Sequence, residues 1–115
     1  MTLFKLMNHK KYVAEKLKNY DEEHIVITYH AEEQAIFRGI DLNDVKDNLL
    51  YPKRLVFAGK QKSEKLNEEK FNCYFAYSNT QCQRYIIVLN ENCVVCTVIK
   101  INRRWQRIVE KYAKI

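Results

Sequence analysis

Arg84-Tyr-Ile-Ile-Val-Leu89, Asn90-Glu-Asn92 and Cys93-Val-Val-Cys-Thr-Val-Ile-Lys-Ile101 form two apolar, β-branched runs around three polar residues. Branched side chains suit a pleated strand, and an Asn-Glu-Asn step suits a tight turn. Three residues leave no room for a crossover, so the runs are expected to pair as antiparallel neighbours. Upstream, Phe71, Cys73, Phe75 and Tyr77 alternate with Asn72, Tyr74 and Ala76, which predicts a strand over 71–77. Residues 54–58 read as a further strand and 78–83 as a turn. The charged stretch 59–70 (Lys60, Lys62, Glu64, Lys65, Glu68, Glu69) reads as a connection suited to movement about Gly59.

The first half of the chain has helical periodicity instead. Leu6, Val13, Leu17 and Tyr20 form one stripe among lysines, which predicts a helix over 6–20. A short strand over 25–28 follows. Thr28 is then placed to cap a helix over 29–38, with Glu32 and Glu33 near its positive end and Gly39 as its stop. Asp41 caps a second helix over 42–50, turning Leu42, Val45, Leu49 and Leu50 inward, and Pro52 ends it. At the other end, 103–115 predicts a closing helix with Trp105, Ile108, Val109 and Tyr112 on a buried stripe. Helices followed by strands argue for an α+β fold: N-terminal helices packed on an antiparallel sheet, with a C-terminal helix. The expected organisation is one domain over 1–115, without internal repeat or linker.

Two glycines and one proline in 115 residues, with 47% hydrophobic content, fit a globular chain rich in regular structure. No apolar window approaches the ~18–20 residues needed to span a bilayer, and the N-terminus lacks a signal-like apolar run. A cytoplasmic protein without membrane contact is the expectation. The net charge is +6, but unevenly spread: +4 over 1–20, −6 over 21–48 and +5 over 100–115. The basic ends suit a polyanion such as RNA, whereas the acidic segment suits a protein partner.

Cys93 and Cys96 have the spacing of half a zinc site, which Cys73 and Cys82 could complete. On a strand, however, residues three apart point to opposite faces, so the four thiols are read as small core hydrophobes. No metal and no cofactor is expected. The chain also lacks a glycine-rich phosphate loop, a His-Glu-x-x-His motif and a nucleophile elbow, which argues against ATP use, zinc proteolysis and serine-hydrolase chemistry.

The chemistry concentrates on 28–40. His30, Gln34 and Arg38 are spaced by four, which sets them along one stripe of a helix. An imidazole can move a proton near neutral pH and a guanidinium can hold a phosphate oxygen, the two needs of metal-independent RNA cleavage. The plainer alternative makes His30 a helix-start residue and Arg38 a solvated end charge. His9, among lysines, and His24, in an acidic turn, have no helper at useful spacing.

The pattern His30-Ala31, Arg38-Gly39-Ile40, Asp44-Val45, Leu49 and Pro52, with Thr97-Val98 in the last strand, resembles a small uncharacterised family grouped with the RelE-like toxins. The resemblance covers about residues 25–101. It implies the barnase, EndoU, colicin and RelE type of ribonuclease fold: a strand, a His-Ala helix ending in Arg-Gly-Ile, a second short helix and an antiparallel sheet. It further implies an endoribonuclease toxin of a toxin-antitoxin system, with RNA as substrate and an antitoxin-like protein as partner. One departure matters: many relatives carry an arginine where this chain has Gln34, which removes a cation.

On this reading His30 is the acid or base, Arg38 clamps phosphate, Tyr85 stacks on a base or donates its hydroxyl, and Thr97 orients phosphate or imidazole. Arg54, Lys60 and Arg84 are further cations for the cleft, and Arg103, Arg104 and Arg107 guide RNA from the C-terminal helix. Each has a structural alternative: strand-edge charges for Arg54 and Arg84, sheet packing for Tyr85, an ordinary strand residue in Thr97, solvated cations on the last helix. The competing functional class is a non-catalytic nucleic-acid-binding or protein-interaction module of the same fold.

Overall fold

Asn90 N–H closes the predicted turn on Asn92 O at 3.1 Å, holding β4 (Gln81–Leu89) antiparallel to β5 (Cys93–Asn102). The computed structural model describes residues 7–102 and Lys111. The expected C-terminal helix, with Arg103, Arg104, Trp105 and Arg107, lies outside the described residues. β3 (Glu69–Ala76) and β2 (Leu55–Gln61) extend the meander. β2 runs further than its apolar residues suggest. Gly59, Lys60 and Gln61 pair with Asn72, Phe71 and Lys70, and Lys60 meets Glu69 at 3.5 Å, so the connection shrinks to 62–68.

The sheet is not wholly antiparallel. β1 (Ile25–Ile27) lies parallel to β5, from Ile25 opposite Cys93 to Ile27 opposite Val95, giving the order β1-β5-β4-β3-β2. Two strands this far apart in sequence are free of the hairpin constraint that fixes the direction of the others. The α+β class holds, with a mixed sheet.

Local chemistry explains the helix ends. Asn8 Oδ1 accepts from Lys10 N and from Ala58 N, so α1 (Lys10–Leu17) starts where it is tied to β2, later than the stripe predicts. Thr28 Oγ1 accepts from Ala31 N at 3.1 Å to open α2 (Tyr29–Arg38). Gly39 closes α2 at φ 66°, a left-handed conformation that a side chain would strain, and Ile40 N–H returns to Ala35 O at 2.8 Å. Asp41 then caps α3 (Leu42–Leu50) through Asn43 N.

The helices α1, α2 and α3 cover one sheet face. Val13 and Leu17 of α1, Ala31 and Ala35 of α2, and Val45 and Leu49 of α3 pack on Leu55, Phe71, Cys73, Phe75, Tyr85, Ile87, Val95 and Val98. The two alanines let α2 lie close along β5. A bulge sets what β5 shows: Ile86 is opposite Thr97 but Ile87 is opposite Val95, so Cys96 has no counterpart. The extra residue resets the alternation. Val95 and Val98 therefore both face the core, while Thr97 faces away. On that second face Phe57, Tyr74 and Cys82 form a smaller cluster with Val56 and Ile101.

The turn before β1 carries an exposed ion pair. Asp21 Oδ1 accepts from His24 N at 3.2 Å and lies 2.5 Å from His24 Nδ1. That hydrogen bond, with the attraction of the two charges, raises His24 above its usual 6.5 and lowers Asp21 below its usual 3.8. The raised group contributes stability below pH 6.5 and loses it as pH rises through its folded value. The lowered group contributes above pH 3.8 and loses it as pH falls through its folded value. The pair is thus fully effective between those limits. His24→Gln is expected to flatten the alkaline side of the stability profile, read as urea midpoints from about pH 5 to about pH 9. An unchanged profile would show that the pair does not couple to folding.

Candidate active site

The site grows from an unfinished sheet edge. Thr28 N–H reaches Val95 O at 3.1 Å, the last ladder bond before the chain turns into α2. Beyond Val95, β5 keeps β4 on one side but has no strand neighbour among the described residues on the other, and the N–H and C=O of Val98 face that edge. Backbone groups in that position need partners, and α2 supplies both. Gln34 Oε1 accepts from Val98 N at 3.0 Å, and Arg38 Nη1 donates to Val98 O at 2.7 Å. Two side chains one helical turn apart stand in for a β-strand.

His30, one turn earlier, completes the row. Its Nε2 lies 2.9 Å from Gln34 Nε2. His30, Glu33, Gln34, Phe37 and Arg38 line one open groove of about 330 Å³. His30 and Arg38 thus border the same groove. Among the described residues Arg38 spends one N–H on Val98 and keeps the rest of its five-donor fork. Phe37 is 90% exposed, and Ile36 and Tyr29 stand out beside it at 76% and 74%. Lys100 brings a second cation to this end of α2: its Nζ lies 3.8 Å from where a Cβ on Gly39 would be. A cation there also complements the negative pole of the helix.

Glu33, Phe37 and Lys100 were not singled out from the sequence. The first two were within reach of it, since 30, 33, 34, 37 and 38 share one helix face. An apolar residue left on a polar face was the available signal for Phe37. Lys100 had none, because only the sheet register brings it to Gly39.

Tyr85 is not part of the groove. It is fully buried, stacked on Phe75 with ring centres 4.7 Å apart. Its hydroxyl accepts from Asn48 Nδ2 at 2.8 Å and donates to Gln83 Oε1 at 2.5 Å. Burial pushes that hydroxyl far above the usual tyrosine range, so it neither stacks on a base nor gives up its proton. Thr97 is likewise displaced, turned by the Cys96 bulge to the face opposite the helices. Arg84 shares that face: it neighbours inward-facing Tyr85 on β4, and its Nε is buried without a hydrogen-bond partner among the described residues. Arg54 and Lys60 belong to the β2 edge, three strands or roughly 14 Å from β5. There Arg54 lies over the Tyr77 ring at 4.5 Å and Lys60 pairs with Glu69. Arg103, Arg104 and Arg107 lie outside the described residues.

Cys73 and Cys93 sit in the core, where burial raises both thiols, Cys93 to about 12. Both therefore stay protonated near neutral pH, unlike nucleophilic or metal-binding thiolates. Among the described residues no three His, Cys, Asp or Glu side chains gather to hold a metal ion. None of the described helices is long and apolar enough to cross a membrane.

No family model, no curated protein and no solved structure matches this chain.

Proposed function

We propose that the protein is a metal-independent endoribonuclease of toxin type, cytoplasmic and restrained by a separate antitoxin-like protein. The carrying observation is that His30, Glu33, Phe37 and Arg38 line one open groove. A carboxylate and an imidazole on one wall can take the 2′-hydroxyl proton and meet the charge that builds on the phosphate. The spare N–H groups of Arg38 suit phosphate oxygens, and the open Phe37 ring suits stacking on an unpaired base. Attack by the 2′-oxygen on phosphorus breaks the P–O5′ bond, and the leaving 5′-oxygen takes a proton from the imidazole or from water, so the products are a 2′,3′-cyclic phosphate and a free 5′-hydroxyl, with no metal needed.

The test is cleavage of single-stranded RNA by the purified protein in excess chelator. Products ending in cyclic phosphate are expected, while intact RNA across a panel of sequences, with ribosomes present and absent, would overturn the reading. A non-catalytic protein-interaction module is the second reading, favoured by Tyr29, Ile36 and Phe37 standing exposed on α2 beside Glu32 and Glu33. Such a module would leave RNA intact in the same assay.

A further inference from the structure

Gln34 makes two contacts that leave its amide one orientation. Val98 N–H can only donate, so the atom 3.0 Å from it is the amide oxygen. The other end of the amide, Nε2, lies 2.9 Å from His30 Nε2. An amide nitrogen gives hydrogens and accepts none. His30 Nε2 is therefore the acceptor, a bare ring nitrogen, and the ring proton sits on Nδ1. Turning the amide over would set its NH₂ against Val98 N–H and leave that backbone donor unpaired, at a cost of about 1–3 kcal/mol.

We propose that Gln34 is a positioning residue that holds His30 in the Nδ1–H tautomer and so presents a neutral hydrogen-bond donor to an oxyanion in the groove. This is the second-neighbour logic by which a fixed partner on one ring nitrogen decides what the other can do. Gln34 is itself anchored to β5, so His30 is referenced to the sheet and not only to its own helix. With His30 and the spare N–H groups of Arg38 both donating, the groove is built to receive oxygens that accept, as the two unbridged oxygens of a phosphodiester do. Glu33 is then the lining group left to take a proton. The tautomer follows from geometry alone. Only the choice of a phosphodiester as acceptor rests on the RNA-cleaving reading.

The experiment is nitrogen-15 NMR of the His30 ring in the full chain, at alkaline pH. The wild type is expected to show Nδ1 with the shift of a protonated nitrogen and Nε2 with that of a bare one. Gln34→Ala is expected to release the ring to the ordinary preference for Nε2–H. Gln34→Glu is the sharper variant, because a carboxylate can still accept from Val98 N–H but can only accept from the ring. It is expected to invert the tautomer to Nε2–H while the Val98 amide signal keeps its bonded position. A wild-type ring protonated on Nε2, or an uninverted ring in Gln34→Glu, would overturn the proposal. If RNA is cleaved, Gln34→Glu should lower kcat by about tenfold or more, since a wrong tautomer disables a catalytic histidine with its geometry intact. A held Nδ1–H tautomer with RNA left uncut would uphold the positioning role and remove the ribonuclease reading alone.

Discussion

Tyr85→Ala is expected to destabilise the fold by about 3–5 kcal/mol, the range for deleting a large buried ring. That is a large share of the ~5–15 kcal/mol by which domains are typically stable. Two losses add. The ring is fully buried and stacked on Phe75, so its removal opens a cavity between α3 and the middle of the sheet. The hydroxyl joins Asn48, itself held to Tyr77, with Gln83, so its removal also leaves Gln83 Oε1 without the donor that satisfies it. Tyr85→Phe separates the two, keeping the ring and losing the hydroxyl, and should cost about 1–3 kcal/mol. Urea unfolding of the three proteins checks the order. A Tyr85→Ala protein within about 0.5 kcal/mol of wild type would behave like a surface variant and contradict the burial. The same comparison decides what Tyr85 is for: an RNA-stacking residue would lose binding and leave stability unchanged.

What could be read from the sequence was what local chemistry determines. The bounds of α2 and α3 follow from Thr28, Gly39 and Asp41, residues that satisfy or terminate a helix within one turn of themselves. The β4–β5 hairpin follows from a three-residue connection. What could not be read depends on partners brought from far away. Lys60 and Gln61 look like loop residues and belong to β2 only because β3 offers them a ladder and a counter-charge in Glu69. The parallel placement of β1 against β5 joins strands about seventy residues apart, which no local turn in Ile25–Ile27 announces.

The Cys96 bulge has the same character, being a property of the β4–β5 register, and it sets where Thr97 lies. Unbroken alternation groups Thr97 with Val95, whereas the bulge turns Thr97 away and aims Val98 at the core. The contribution of Val98 to the site is then made by its backbone, which carries no signature of residue type. Gln34 looked like a lost cation for a related reason, since its value lies in two contacts, one of them to that same backbone.

His30→Ala is expected to lower RNA cleavage by ~10²-fold or more, the usual loss when an acid–base or hydrogen-bonding group leaves a reacting centre. The variant is a clean test because His30 is exposed and its ring bonds only Gln34 among the described residues. Gln34 keeps Val98 N–H when the imidazole goes, so the fold should stay within about 0.5 kcal/mol of wild type. Arg38→Ala is the poorer test: it removes a phosphate ligand and unpairs Val98 O together, so lost activity could reflect a loosened β5 edge. Paired measurements on His30→Ala, cleavage in chelator and urea midpoint, therefore separate chemistry from scaffold. Lost cleavage with an unmoved midpoint assigns the chemistry to the α2 groove. Equal cleavage by variant and wild type would take it away from His30, and α2 would then present Tyr29, Ile36 and Phe37 as a surface for binding alone.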